Sequence, residues 1–181
     1  MTSFFFLIIP MKKEKFFTML VSLMVFTYSS SYGDKVEPPS DAVVFQGSHY
    51  KAFLDTNSTW WEAKFACDDI GGELVVISSS EENEFVRKTA LNNVIWLGGT
   101  DEFEEGVWTW DNGEEFKFTN WDEQQPSSKS GHNFLVLDGK SGKWSDTTDF
   151  SGKVKGYVCK WKNSAPDETP EENLETEESL K

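Results

Sequence analysis

Sulfur, imidazole and positive charge are all scarce in this chain. Cys67 and Cys159 are the only cysteines among 181 residues, and His49 and His132 the only histidines. One disulfide is the most the cysteines allow, and Cys and His together are too sparse for a structural zinc site. Lys and Arg number 17 against 31 Asp and Glu, a net charge of −14. A phosphate backbone demands Lys and Arg, so this balance excludes nucleic acid as a partner and disfavours an anionic membrane surface. The signatures of nucleophilic catalysis are missing as well. A triad drawn around His132 with Ser130 and Asp146 has neither a nucleophile elbow nor a placed oxyanion hole beside it. The chain reads as non-enzymatic, with no catalytic residue.

Long apolar runs are also lacking. Phe16 to Tyr28 is largely apolar but only 13 residues long, short of the roughly 18 to 20 that cross a bilayer. Lys12, Lys13 and Lys15 precede it, and Ser31-Tyr32-Gly33 follows with small residues at the −3 and −1 positions of a cleavage site. Residues 1–33 therefore read as a signal peptide, with translation truly starting at Met11. The expectation is an exported protein without a stable membrane span, secreted and extracellular, or in the periplasm or envelope of a bacterium. Residues 34–42, with Pro38-Pro39, read as a linker. At the other end, residues 163–181 hold seven acidic residues, one Lys and two prolines. Such a composition cannot bury enough apolar surface to order itself, and predicts a disordered acidic tail.

What is abundant is aromatic. Eight tryptophans and nine phenylalanines between those ends predict a real core. Residues 43–53 read as two short strands around Gln46-Gly47-Ser48. Thr59 with Glu62 forms a capping box ahead of a helix whose apolar positions are Trp60, Ala63, Phe65, Ala66 and Ile70, and Gly71 suits its C′ position. Residues 74–77 are a short buried strand. Ser79 with Glu82 predicts a second capping box, and Phe85, Val86, Ala90 and Leu91 the buried face of a second helix. Strands follow at 94–98, at 107–110 by alternation, and again around Phe116 and Phe118 after the turn signal Asn112-Gly113. Residues 122–131 have no large apolar side chain, and a polar stretch of that length is more often functional than structural. Further strands are expected at 133–137, from Lys143 to Asp146, and at 157–161. Two helices followed by many short strands indicate α+β. Asn57-Ser58-Thr59 is a glycosylation acceptor if the cell is eukaryotic.

The order of several motifs resembles one family. Trp60-x-x-Ala63-x-x-x-Cys67, Gly71-Gly72-Glu73-Leu74 and residues 79–85 are similar to the first half of a C-type lectin-like domain. Trp96-Leu97-Gly98-Gly99, Trp108-x-Trp110, Asn120-Trp121, Trp144-x-Asp146 and Tyr157-Val158-Cys159 are similar to the second. The resemblance spans residues 43–162. It implies a double-loop α+β fold with two helices and two small antiparallel sheets, scaffold roles for Trp96, Trp108, Trp110, Trp121 and Trp144, and a Cys67–Cys159 disulfide. Trp61, beside the family's helix tryptophan, is expected to pack against Val43 or the tail. The family's second disulfide is absent, with Phe134 and Asp149 at its positions.

The long loop of the family, here about residues 100–132, carries a ligand site in many members. There a calcium ion held by an x-Pro-x triplet, a following Glu and an Asn-Asp pair chelates sugar hydroxyls. The corresponding positions are Gln125-Pro126-Ser127, His132 and Ser145-Asp146. Gln125 and Asp146 are the remaining metal-ligand candidates, with Asp122, Glu123 or the acidic residues of 101–105 as compensating donors. One carboxylate among five positions is a poor set for a cation that takes six to eight oxygens. Calcium is thus a cofactor the family allows and this donor set does not require. The resemblance implies a recognition module that binds glycan through Gln125, Ser127, His132, Ser145 and Asp146. Its alternative is calcium-independent binding of an extracellular protein over the same loop.

Overall fold

The computed structural model describes residues 36–127 and 129–162. The signal-peptide and tail readings lie outside these residues. Within them the chain folds as α+β, and each element follows from local chemistry. Strand β1 (Val43–Phe45) turns into β2 (Ser48–Leu54) through Gln46 and Gly47, whose φ of 47° and 82° are the paired left-handed values of a tight hairpin. Helix α1 (Trp60–Asp69) begins at the expected capping box: Thr59 Oγ1 accepts from the Glu62 N–H and Glu62 reaches back to the Thr59 N–H. Gly71, at φ 69°, ends it in the left-handed conformation glycine adopts without strain.

Trp60, Ala63 and Cys67 form the buried stripe of α1. Phe65, expected on that stripe, falls off it at i+5 from Trp60 and is 55% exposed. The Trp61 ring lies against Trp60, Phe65 and Phe134.

Helix α2 (Ser80–Thr89) departs from expectation in two ways. Ser79 Oγ accepts the Glu82 N–H, but the Glu82 carboxylate turns inward to Ser78, Tyr50 and Lys160 rather than completing a box. Leu91 is exposed, because the chain leaves the helix at Ala90 and turns through Leu91 and Asn92 at φ 47° and 65°.

The remaining strands are β3 (Glu73–Leu74), β4 (Val94–Thr100), β5 (Thr109–Trp110), β6 (Phe134–Asp138), β7 (Trp144–Thr147) and β8 (Val154–Trp161). Both antiparallel groups implied by the family resemblance are present. One is β1-β2-β8 with β3, the other β4-β6-β7 with β5. They are not separate sheets, because β4 and β8 run side by side in parallel and join them into one. Residues 75–77, expected as strand, are wholly buried without extending β3.

Cys67 and Cys159 are bonded, fixing α1 to β8. Buried indoles complete the scaffold by donating their N–H inward: Trp60 to Leu97 O at 2.8 Å, Trp96 to Ser58 O at 3.0 Å, Trp161 to Ile70 O at 3.0 Å. A buried N–H without such an acceptor costs on the order of 1–3 kcal/mol, so these bonds determine which way each ring faces. Where the family's second disulfide would lie, the ring of Phe134 packs on Trp60 at 5.0 Å and the Asp149 carbonyl accepts the backbone N–H of Trp60.

Candidate ligand-binding site

The long loop is held to the scaffold by rings. Trp144, on β7, is fully buried and makes edge contacts with Trp110, Phe116, Phe118 and Trp121 at 5.5 to 6.2 Å. Its indole N–H donates to Asn83 Oδ1 at 2.7 Å, so α2 orients it. Residues 113–120 join no strand, contrary to the alternation around Phe116 and Phe118. The period of two survives in burial alone, with residues 112, 114, 116, 118 and 120 half-buried and those between them exposed. The rings are satisfied by packing on Trp144, so no ladder is needed to place them.

Beyond Trp121 the loop is docked by backbone. Asp122 N–H donates to Trp144 O at 2.8 Å, Trp144 N–H donates to Asn120 O at 3.0 Å, and Gln125 N–H returns to Asp122 O. The Gln125–Pro126 bond is cis. This turn brings Gln125 and Ser127 over β7: Gln125 Oε1 accepts the Asp146 N–H at 3.2 Å, and Ser127 Oγ donates to Asp146 Oδ2 at 2.7 Å. His132 Nδ1 lies 4.0 Å from the same oxygen. Gln125, Ser127, His132, Ser145 and Asp146 all line one cavity of about 370 Å³. The five residues singled out from the sequence, spread over 22 positions, therefore line the same cavity.

Two buried polar atoms there have no protein partner, Asp146 Oδ1 and His132 Nδ1. Asp146 is 6% exposed. An acceptor buried without a partner costs about 1–3 kcal/mol, and groups of this kind mark places where a ligand or water completes the bonding.

The donor set does not fit a calcium ion. Asp146 is the one carboxylate among the five positions, and its Oδ2 is engaged by Ser127. Gln125 Oε1 is turned to a backbone N–H. The proposed compensation is not seen either. Of those acidic residues only Asp122 lines the cavity, and its Oδ1 accepts from the Glu123 N–H. Asp101 is buried and closes its own loop by accepting the Gly106 N–H at 2.9 Å. Among the described residues no group of three or more His, Cys, Asp or Glu could hold a metal.

Sequence reasoning missed other residues of the cavity. Lys129, Lys143 and Lys153 contribute to its lining. Their convergence depends on how the β6–β7 turn and the segment before β8 fold back beside the long loop, which no local pattern reports.

Residues 56–161 match the family described as Lectin C-type domain. The chain is 34% identical over 121 residues to the human low affinity immunoglobulin epsilon Fc receptor, covering 67% of this chain and 37% of the receptor. It is 35% identical over 105 residues to lectin BRA-3 of Megabalanus rosa, covering 56% of this chain and 64% of that lectin. The chain thus spans between about a third and two thirds of the length of these relatives. A crystal structure of the cow C-type carbohydrate-recognition domain of CD23, in the presence of GlcNAc2Man3 oligosaccharide, superposes with a TM-score of 0.65 at 30% identity. It covers 71% of this chain and 98% of that domain.

Proposed function

The chain belongs to the C-type lectin domain family, and from that premise we propose that it is an exported, non-enzymatic module that recognises carbohydrate in the long-loop cavity without calcium. The observation that carries this reading is Asp146, a cavity-lining residue whose buried Oδ1 has no partner, beside Gln125, Ser127 and His132. A sugar hydroxyl both donates and accepts, so it can donate to the buried carboxylate oxygen while taking a bond from a neighbouring amide, hydroxyl or imidazole N–H. Trp144 is buried beneath the site and has no exposed face on which a sugar ring could stack. Recognition therefore rests on hydrogen bonds. At about 0.5–1.5 kcal/mol net for each, three such bonds give an affinity on the order of millimolar for one sugar unit. Useful binding then comes from several domains or several sugar units engaged together. The oligosaccharide named with the CD23 domain and the lectin relatives support the same ligand class.

A second reading has its own observation. Phe103 is 87% and Val107 48% exposed, on an acidic stretch of the same loop, and the relative with 34% identity is named as an immunoglobulin receptor. A protein ligand would use that knuckle rather than the cavity. A glycan array probed with calcium and again with chelator separates the two: sugar signal that persists in chelator supports the proposal. Silence in both conditions, or a signal abolished by chelator, refutes it.

A further inference from the structure

The distribution of unpaired cations deepens the carbohydrate reading, on which this inference rests. In a chain with a net charge of −14, carboxylates are plentiful enough to pair most lysines. Arg87 and lysines such as Lys51, Lys64, Lys160 and Lys162 do sit at ion-pairing distance from one. Among the described residues, Lys129, Lys140, Lys143, Lys153 and Lys155 do not. Three of these five, Lys129, Lys143 and Lys153, line the cavity that contains Asp146.

They come from three separate segments: the long loop, the β6–β7 turn and the connection into β8. The carboxylates of the same cavity have other partners. Asp122 accepts from the Glu123 N–H, Asp138 from the Lys140 N–H and the Ser141 hydroxyl, and Asp146 from Ser127. Lys143 Nζ meets only the neutral Asn120 Oδ1, at 3.0 Å. Three ammonium groups thus line this polar cavity with no carboxylate at ion-pairing distance, although Asp122, Asp138 and Asp146 line it too.

We propose that the cavity takes an acidic carbohydrate, a sugar unit bearing a carboxylate or sulfate group. The anionic group meets Lys129, Lys143 and Lys153, and the ring hydroxyls meet Gln125, Ser127 and Asp146. Flexible ammonium groups suit this task, since they neutralise an anion of either geometry as point charges.

The test is an equilibrium binding series on the full chain in EDTA, with a sulfated disaccharide, a uronate-containing disaccharide, a neutral disaccharide of equal size and inorganic sulfate. At least one acidic disaccharide binds about tenfold or more tightly than the neutral one. Raising NaCl from about 0.1 to 1 M, which shortens the screening length from about 10 to about 3 Å, removes that advantage. The combined variant Lys129→Gln, Lys143→Gln, Lys153→Gln reduces acidic-sugar affinity to the neutral level, at about two- to fivefold for each exposed pair. The control Lys140→Gln, Lys155→Gln, which removes unpaired cations outside the cavity, leaves it unchanged. Equal binding of neutral and acidic sugars overturns this inference while the carbohydrate reading stands. Binding of no sugar overturns both. A loss as large in the control variant, or inorganic sulfate competing as well as the sulfated sugar, shows diffuse charge attraction and overturns the inference alone.

Discussion

Glu82 is the residue whose environment departs furthest from its surroundings in sequence. It is 3% exposed. Its Oε1 accepts from Lys160 Nζ and from the Tyr50 hydroxyl, both at 2.7 Å, and its Oε2 accepts from the Ser78 N–H and hydroxyl, both at 2.8 Å. Burial by itself would raise the Glu82 carboxyl. The Lys160 ammonium with the Ser78 and Tyr50 donors outweighs it and holds the group below its ordinary 4.5. Burial and the Glu82 charge push the Tyr50 phenol upward from 10.0. A carboxyl lowered on folding stabilises above its unfolded value, and that stabilisation is lost as pH falls through the folded one. A phenol raised on folding stabilises below its unfolded value and loses that as pH rises. Melting temperature should therefore be level between about pH 5 and 10 and fall on both sides, as calorimetric scans across pH would register. Glu82→Gln strands the Lys160 charge and should cost about 3–5 kcal/mol in denaturant titrations, whereas pairing it with Lys160→Met should recover much of that. The sequence placed Ser79 and Glu82 at capping-box spacing, and the Ser79 half of that reading holds. The Glu82 half could not be read, because its partners Tyr50 and Lys160 lie 32 and 78 positions away.

At the scale of elements, close approach between backbones sets the tolerances. A Cβ on Gly98 would lie 2.7 Å from the Leu74 carbonyl oxygen, an atom that cannot move without disturbing the chain beside β4. Gly98→Ala should cost about 1–3 kcal/mol, read as a lowered denaturation midpoint with unchanged slope. The Cys67–Cys159 bond closes a separation of 92 residues. In the chain-entropy account such a loop contributes about 4–5 kcal/mol, so reduction should lower the melting temperature by more than about 10 °C. A shift within a degree or two would show that packing alone holds α1 on β8. Most elements were legible because their signals are local: caps at Thr59 and Gly71, the Gln46-Gly47 turn, alternation or apolar runs in the strands. The misreadings have a common cause. Phe116 and Phe118 alternate as strand residues do, yet their partner is the Trp144 ring and not a neighbouring strand. Strand β8 starts at Val154, earlier than the apolar run at 157, since Lys155 and Gly156 interrupt the pattern without interrupting the ladder.

For the whole molecule, the family scaffold is retained while the donor residues at the loop's calcium positions differ from the set the family resemblance implies. The loop positions fell together in the cavity because the motif order specified them. Their hydrogen bonds did not follow from that order, since Ser127 and Gln125 turn to Asp146 and leave one of its oxygens free. The lysine lining was likewise illegible, being assembled from three segments distant in sequence. With one engaged carboxylate in place of a six- to eight-oxygen cage, calorimetric titration of the chain with calcium should show no micromolar site, and added calcium should leave melting temperature unchanged. Asp146→Asn keeps the side-chain volume but removes the charge of this buried acceptor. It should lower sugar affinity by about tenfold, the worth of a hydrogen bond to a charged group.

The most direct measurement is a two-dimensional amide NMR titration of the isotope-labelled chain with neutral and sulfated trisaccharides in EDTA, carried to saturation at millimolar concentrations. Saturable shifts should concentrate on Gln125, Ser127, His132, Ser145 and Asp146, including the Gln125 side-chain amide. Shifts confined to the Phe103 knuckle, or none that saturate with any saccharide, would contradict calcium-free sugar recognition in this cavity.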